Sequence, residues 1–538
     1  MCFTGEMKRL TTLLVLAFGL ISVSTAAPLR IELLDESGAP IPARILVQPA
    51  GGEAVLPEAA VVMPIGDDRW VYAQGTIEVD VPAGVVELRA ERGLEYRRVK
   101  RQITVPASGA TERVLLSRWI DMRSRGYARG ENHLHEGAER LAVMLPGEDL
   151  DFGTSLSWWN GPDALRAAPA GNASVHKLGR DPHRVPASVF DAEVEYDWGA
   201  VYLTGGSRPV TVASDPRTPN LPYIRDARAA GSIVHYQAGW SREVLLDALL
   251  GLVNVVNVAN NLFHMHRYMP RGRYSNLLEL EGFPIYPDTP EGMYRMNTET
   301  YYRLLNIGLR LAAGAGSATG VKENPPGFNR AYVRVEKNAS LPDFYRAWAE
   351  GRNFVTNGPI LDLRTGTGDR PGDTIAFPKQ GGEVTLHIAA EADMPLQTLE
   401  VIVNGEVRHA FEAVGKRKLA GEVRIDVRQG AWIAVRVTAH DDLLSDPELA
   451  RYSAGSDDEP LRVRPSRLRF AHTSPVYVTV DGRGPAVAGS FAEAERMLAA
   501  FEQFARRTAA SELLPELLRD VATARKNLRA RSEEALRR

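Results

Sequence analysis

The chain has 538 residues, 44% of them hydrophobic and 24% charged, a balance that excludes disordered and collagen-like classes. It is too long for one core and suits roughly three or four domains. With 64 Lys plus Arg against 67 Asp plus Glu, the net charge of -3 leaves no general basic footprint for nucleic acid or acidic lipid. Cys2 stands as a single cysteine, which rules out a disulfide framework, a Cys-ligated zinc site, an iron–sulfur cluster and a redox CxxC. Any metal must be held by His, Asp, Glu or Asn.

The N-terminus has the pattern of a secretory signal over residues 1–27. Lys8 and Arg9 are followed by an apolar run over 13–23 and then by the small residues Ser24, Thr25, Ala26 and Ala27, with Met7 opening the pattern. This predicts an exported protein, periplasmic or secreted, with no integral membrane anchor and no cysteine after cleavage. Residues 28–120 alternate with period two, as in Arg30-Ile31-Glu32-Leu33 and Thr76-Ile77-Glu78-Val79-Asp80-Val81, and predict a small β-sandwich accessory domain. Over 121–372, apolar runs such as Gly231-Ser232-Ile233-Val234 sit among helical patterns at 245–252 and 300–311, which predicts a parallel α/β layout, a barrel being one form of it. Alternation returns over 373–480 for a second β-sandwich. Residues 481–538 read as helices, opened by the capping box Ser490-Phe491-Ala492-Glu493 with Ala494, Met497, Leu498, Phe501 and Phe504 at helical spacing.

The chemistry concentrates in the middle segment. In Glu131-Asn132-His133-Leu134-His135-Glu136 the two histidines share one face of an extended strand and can converge on one ion; the other reading is a pair of hydrogen-bonded strand histidines. Glu193 and Glu195 also share a face, and His235 follows an apolar run at a place where α/β sites are built. His264 and His266 form a second H-x-H beside Arg267, Arg271 and Arg273. Those arginines oppose a cation, so this cluster reads as an anion or substrate contact or as a surface loop.

Asn132-His133-Leu134-His135 resembles the opening motif of the PHP (polymerase and histidinol phosphatase) superfamily. The middle of the chain resembles its CehA/McbA-type metallohydrolases through Gly147-Glu148-Asp149-Leu150-Asp151-Phe152-Gly153, Ser157-Trp158-Trp159-Asn160 and Tyr302-Arg303-Leu304-Leu305-Asn306-Ile307-Gly308. The likeness continues through Gly327-Phe328-Asn329-Arg330-Ala331-Tyr332, Phe354-Val355-Thr356-Asn357-Gly358-Pro359 and Ala471-His472-Thr473-Ser474-Pro475. The resemblance implies a distorted (β/α)7 barrel, a cluster of divalent metals, and hydrolysis of phosphoester, carbamate, ester or amide-like bonds. It assigns His133 and His135 to the first metal motif, Glu193 (with Glu195 as alternative) to the bridging carboxylate, and His235 to the later single histidine. Three family positions depart from the pattern: Ser157-Trp158-Trp159-Asn160 replaces a Thr-Asp-His-type motif, Ala200 stands where a histidine is usual, and Gly316-Ser317-Ala318 lacks the closing aspartate.

The expectation is therefore fewer ions than a full trinuclear site, held as Zn, Mn or Fe. Asn160 and Arg330 are expected at the reacting group, with a structural salt bridge as the other role for Arg330. Trp158 and Trp159 are expected to form the substrate wall, with His264 and His266 as further contacts. The partner would be a small-molecule or cell-surface substrate. The rival expectation is a degenerate PHP-fold protein that binds a carbohydrate or cell-surface ligand without catalysis.

Overall fold

The computed structural model describes residues 26–162, 173–180, 182–270, 284–453 and 463–536. The N-terminal part is two sheets sharing one core. Strands Thr76–Pro82, Ala26–Leu34 and Ala110–Leu115 form one; Val62–Ile65, Asp68–Gln74, Pro42–Pro49, Gly84–Glu91 and Val99–Val105 form the other. Period-two alternation turns Leu29, Ile31, Leu33, Ile77 and Val79 inward against Ile45, Val71, Val86 and Leu88. Each such buried side chain contributes about 1.5–3 kcal/mol. Ala26 and Ala27 pair with Pro82 and Val81, so the first strand takes in the last two residues of the expected signal. Residues 1–25 of that segment lie outside the described residues.

The central unit corrects the expected fold. Strands Gly153–Trp159, Val185–Tyr196, Gly199–Thr204, Ile233–Tyr236, Val255–Ala259 and Ala312–Ala315 form a mixed sheet in that order, with Val175–Leu178 added beside the second. Val185–Tyr196 and Ile233–Tyr236 both run antiparallel to Gly199–Thr204, while the outer pairings are parallel. No regular (β/α)7 barrel is present among the described residues. The physical reason is local: Tyr196 pairs with Gly199, so Asp197 and Trp198 make a two-residue hairpin with Gly199 at φ +116, where a parallel pair needs a crossover of a dozen residues or more. The ladder ends at Gly153–Trp159 on one side and Ala312–Ala315 on the other. Residues 131–136 lie between those ends on isolated bonds, Asn132 N–H to Ala315 O (3.2 Å) and Leu156 N–H to Leu134 O (3.2 Å).

Residues assigned by sequence to the middle segment also join a different sheet. Tyr127–Gly130, Arg330–Arg334 and Asn353–Thr356 continue antiparallel into Leu468–Thr473 and Ala431–His440 of a nine-stranded sheet. That sheet crosses residue 372. Its core packs against a three-stranded sheet of Ile360–Thr365, Gly382–Glu391 and Lys418–Val427.

At the C-terminus, helices Ala488–Thr508 and Leu514–Leu536 lie on the central unit. Phe504 and Phe501 meet Trp198 at 4.9 and 6.1 Å between ring centres, and Asn527 donates to Leu249 O (3.0 Å). The first of these helices begins at Ala488 after an uncapped Val487, so the expected capping box at Ser490 falls inside the helix and does not cap it. No helix among the described residues is long and apolar enough to cross a membrane.

Candidate metal centre

The His133–His135 segment is fixed from one side by a tight turn. Ala318 N–H donates to His133 O (2.9 Å), and His135 N–H donates to Thr319 O (2.7 Å). Glu193 approaches from the strand Val185–Tyr196, with Trp159 and Tyr202 as its cross-strand neighbours. The three side chains converge. His133 Nε2 lies 2.8 Å from His135 Nε2, and Glu193 Oε2 lies 3.2 Å from His133 Nε2 and 2.8 Å from His135 Nε2. All three residues are buried, and together they form a group that can hold a metal ion.

The donor set fits such an ion. Three lone-pair-bearing atoms crowd one point, and donors bound to one tetrahedral zinc at about 2.0–2.1 Å stand roughly 3.3 Å apart. Burial opposes the charge on Glu193, but the adjoining His133 and His135 outweigh it and hold the carboxyl well below the usual carboxylate range. Burial lowers the His133 imidazole despite the opposing pull of Glu193, a shift toward the neutral form that binds metal. Ring packing orients both imidazoles: Tyr202 lies 4.2 Å from His133, and Trp159 meets His135 edge-on at 4.7 Å. Among the described residues the Nδ1 atoms of both histidines lack a protein partner, so the hydrogen-bonded support that metal-bound imidazoles usually enjoy is thin.

The other expected residues fall elsewhere. His235 is not part of the group: its Nδ1 meets Asn132 Nδ2 (3.0 Å) and its Nε2 meets Thr204 Oγ1 (2.9 Å), so both nitrogens are engaged. Glu195 lies further along the strand, half-buried, with its carboxylate accepting from Trp159 Nε1 (3.3 Å). Asn160 spends both ends of its amide on the Glu195 backbone (2.9 and 2.7 Å), with φ +50, and so shapes the strand end instead of facing a substrate. Strand alternation divides the tryptophan pair. Trp159 faces His135, whereas Trp158 is buried against Tyr223, so only Trp159 can form a wall of the site.

Arg330 is fully buried away from the histidines. It donates to the carbonyls of Gly327 and Glu148 and borders a separate small cavity with Arg44, Glu91, Phe328, Asp441 and Arg469. His264 and His266 do not form a surface loop: both are buried, His264 against Asn261 O (3.0 Å) and His266 beside Tyr452 and Asp441. Arg267 is taken up by Glu323 (2.7 Å), and Arg271 and Arg273 lie outside the described residues.

Tyr202, which packs on His133, was not singled out from the sequence. Tyr202 had a readable signal, since it sits opposite Glu193 once the hairpin is recognised. Near Glu195 a cavity of about 380 Å³ is lined by Tyr196, Ala200, Gln237, Trp240 and Arg242. Ala200, where the resemblance would place a histidine, pairs with Glu195 in the ladder and supplies no ligand.

No family model matches the chain, and no curated protein matches it. Among solved structures, a streptococcal ancillary pilin aligns at 12% identity over 22% of this chain and 38% of its own length, with a TM-score of 0.13. A lytic polysaccharide monooxygenase from Jonesia denitrificans aligns at 12% identity over 30% of this chain and 82% of its own, with a TM-score of 0.12. Likenesses of this size carry no conclusion about fold or chemistry.

Proposed function

We propose that the protein is a metal-dependent hydrolase whose ion is held by His133, His135 and Glu193. The observation that carries this reading is the convergence of Nε2, Nε2 and Oε2 within 3.2 Å of one another in a buried place. A divalent ion held by three protein ligands supplies a Lewis acid and acidifies a bound water, an arrangement used by many hydrolases. The chain's part is to bring the three donor atoms together, to keep Glu193 ionised, and to fix both rings with Tyr202 and Trp159. Trp159 also covers His135 with an apolar ring, which limits water on that side. The cavity beside Glu195 offers room for a small substrate. A binding-only reading draws on one observation, the unpartnered Nδ1 atoms of both histidines, which imply a weakly supported ion.

The deciding assay is hydrolysis of p-nitrophenyl phosphate and p-nitrophenyl acetate by purified protein, before and after chelation and after return of Zn or Mn. Activity that disappears with chelator and returns with metal is the expected result. Metal uptake without turnover of either ester would favour the binding protein.

A further inference from the structure

The H-x-H segment reaches the metal centre from outside the sheet ladder, so its place depends on what grips it. Asn132, one residue before His133, is fully buried and spends its whole amide. Its Nδ2 donates to Asn257 Oδ1 (2.8 Å) and meets His235 Nδ1 (3.0 Å), and its Oδ1 accepts from Asn257 Nδ2 (3.1 Å). Its backbone N–H donates to Ala315 O (3.2 Å). Asn257 lies in strand Val255–Ala259, opposite Gly314 of strand Ala312–Ala315, so the segment is tied to both strands of that pair.

Two glycines leave room for the amide pair. A methyl group on Gly314 would come 2.0 Å from Asn257 Oδ1, and one on Gly316 would come 2.5 Å from Asn132 Oδ1 and 2.6 Å from His133 Cβ. Metal-bound imidazoles are usually aimed by a hydrogen bond on the second ring nitrogen. Among the described residues neither His133 Nδ1 nor His135 Nδ1 has one. Tyr202 lies against the His133 ring at 4.2 Å, a contact with little directional hold. The reach of His133 is therefore inherited from its backbone. Ala318 N–H holds the His133 carbonyl from one side (2.9 Å), and on the other Asn132 is joined to His133 over about 3.8 Å from Cα to Cα.

We infer that Asn132 and Asn257 are positioning residues of the metal centre: their reciprocal amide pair sets how far His133 Nε2 reaches toward His135 and Glu193. The inference rests on the metal reading above and adds two side chains that offer no ligand of their own. The pair is uncharged, so it fixes geometry without adding charge beside Glu193.

The test measures zinc affinity, by competition with a chromophoric chelator, and the visible spectrum of the cobalt(II)-loaded protein. The proteins are wild type, Asn257→Ala, Gly314→Ala and Thr204→Val, each also unfolded in urea. Asn257→Ala removes the amide pair. Gly314→Ala keeps every hydrogen-bonding group but crowds Asn257, and it carries the test should Asn257→Ala not fold. Thr204→Val breaks the same buried network beyond His235, at a residue with no bond to Asn132 or Asn257. Zinc affinity should fall about tenfold or more in Asn257→Ala and Gly314→Ala, with an altered cobalt spectrum, and stay within about threefold of wild type in Thr204→Val. If the first two variants bind zinc as Thr204→Val does and keep the wild-type cobalt spectrum, the pair serves the fold alone and the inference is overturned. A wild type that binds neither zinc nor cobalt overturns the metal reading itself, and the positioning role with it.

Discussion

Glu193 Oε2 lies 2.8 Å from His135 Nε2, although the two residues come from segments 58 positions apart on different parts of the central unit. Both are buried, and burying a carboxylate beside imidazoles is costly unless the charges are compensated.

His235 makes the sharpest contrast with this pair. It is buried in the same unit, but its nitrogens are committed to Asn132 and Thr204. His235→Gln should therefore leave metal content unchanged while lowering stability by about 1–3 kcal/mol, the cost of stranding buried partners. Metal analysis together with urea denaturation checks this. Loss of the ion in that variant would return His235 to the ligand set.

Asn160 acts on the backbone of Glu195. Asn160→Ala removes two hydrogen bonds and leaves a non-glycine residue at φ +50 without the side chain that tolerates it. A loss of about 1–3 kcal/mol in folding stability is expected, with metal affinity reduced far less than by removing a ligand. A variant as stable as wild type but inactive would make Asn160 a catalytic residue after all.

Asp149 holds the junction of the N-terminal sheets with the rest of the chain. It receives Arg92 (2.9 Å), Arg118 (3.1 Å) and Arg129 while itself buried; burial opposes its charge, yet those guanidinium groups hold its carboxyl well below the ordinary range. Asp149→Asn keeps the left-handed backbone at φ +55 but removes the charge. The expected cost is about 3–5 kcal/mol, as for other broken buried pairs, seen as a lower denaturation midpoint. A change below about 1 kcal/mol would mean that the arginines find other partners.

Asp247 gives the protein a dependence on pH. Burial pushes its carboxyl up to about 8, and it accepts from Tyr236 Oη. Burial also raises Glu243, which accepts the N–H groups of Asn220 and Leu221 (2.7 and 3.0 Å) at the start of helix Asn220–Ala229. A carboxyl whose folded value exceeds its unfolded one stabilises the fold fully below about pH 4, and this contribution is lost as pH rises through about 8. Asp247→Asn should flatten that part of the profile, gaining on the order of 4 kcal/mol relative to wild type between pH 5 and 8.5. Parallel profiles for the two proteins would show that Asp247 does not titrate in this window.

The sequence revealed the metal ligands better than the sheet order. His133 and His135 were legible because side-chain direction along an extended chain follows from spacing, whereas spacing left Glu193 level with Glu195 and the preference for Glu193 came from the family resemblance. His235 was not, since its two partners come from residues 132 and 204, a pairing that no local pattern carries. The (β/α)7 barrel came from the family resemblance and the parallel layout from apolar runs among helical patterns, which look alike in parallel and buried antiparallel strands; the hairpin at Asp197-Trp198 decided between them. Trp158 and Trp159 were read together, but neighbours on a strand point to opposite faces, and only one reaches the site.

The most direct test is the metal content of purified wild type after equilibration with zinc, measured by plasma mass spectrometry beside His133→Ala and Glu193→Gln. The arrangement of three converging ligands predicts about one ion per chain in the wild type and a loss of most of it in both variants. A wild type without bound metal, or variants that retain the wild-type content, would contradict it.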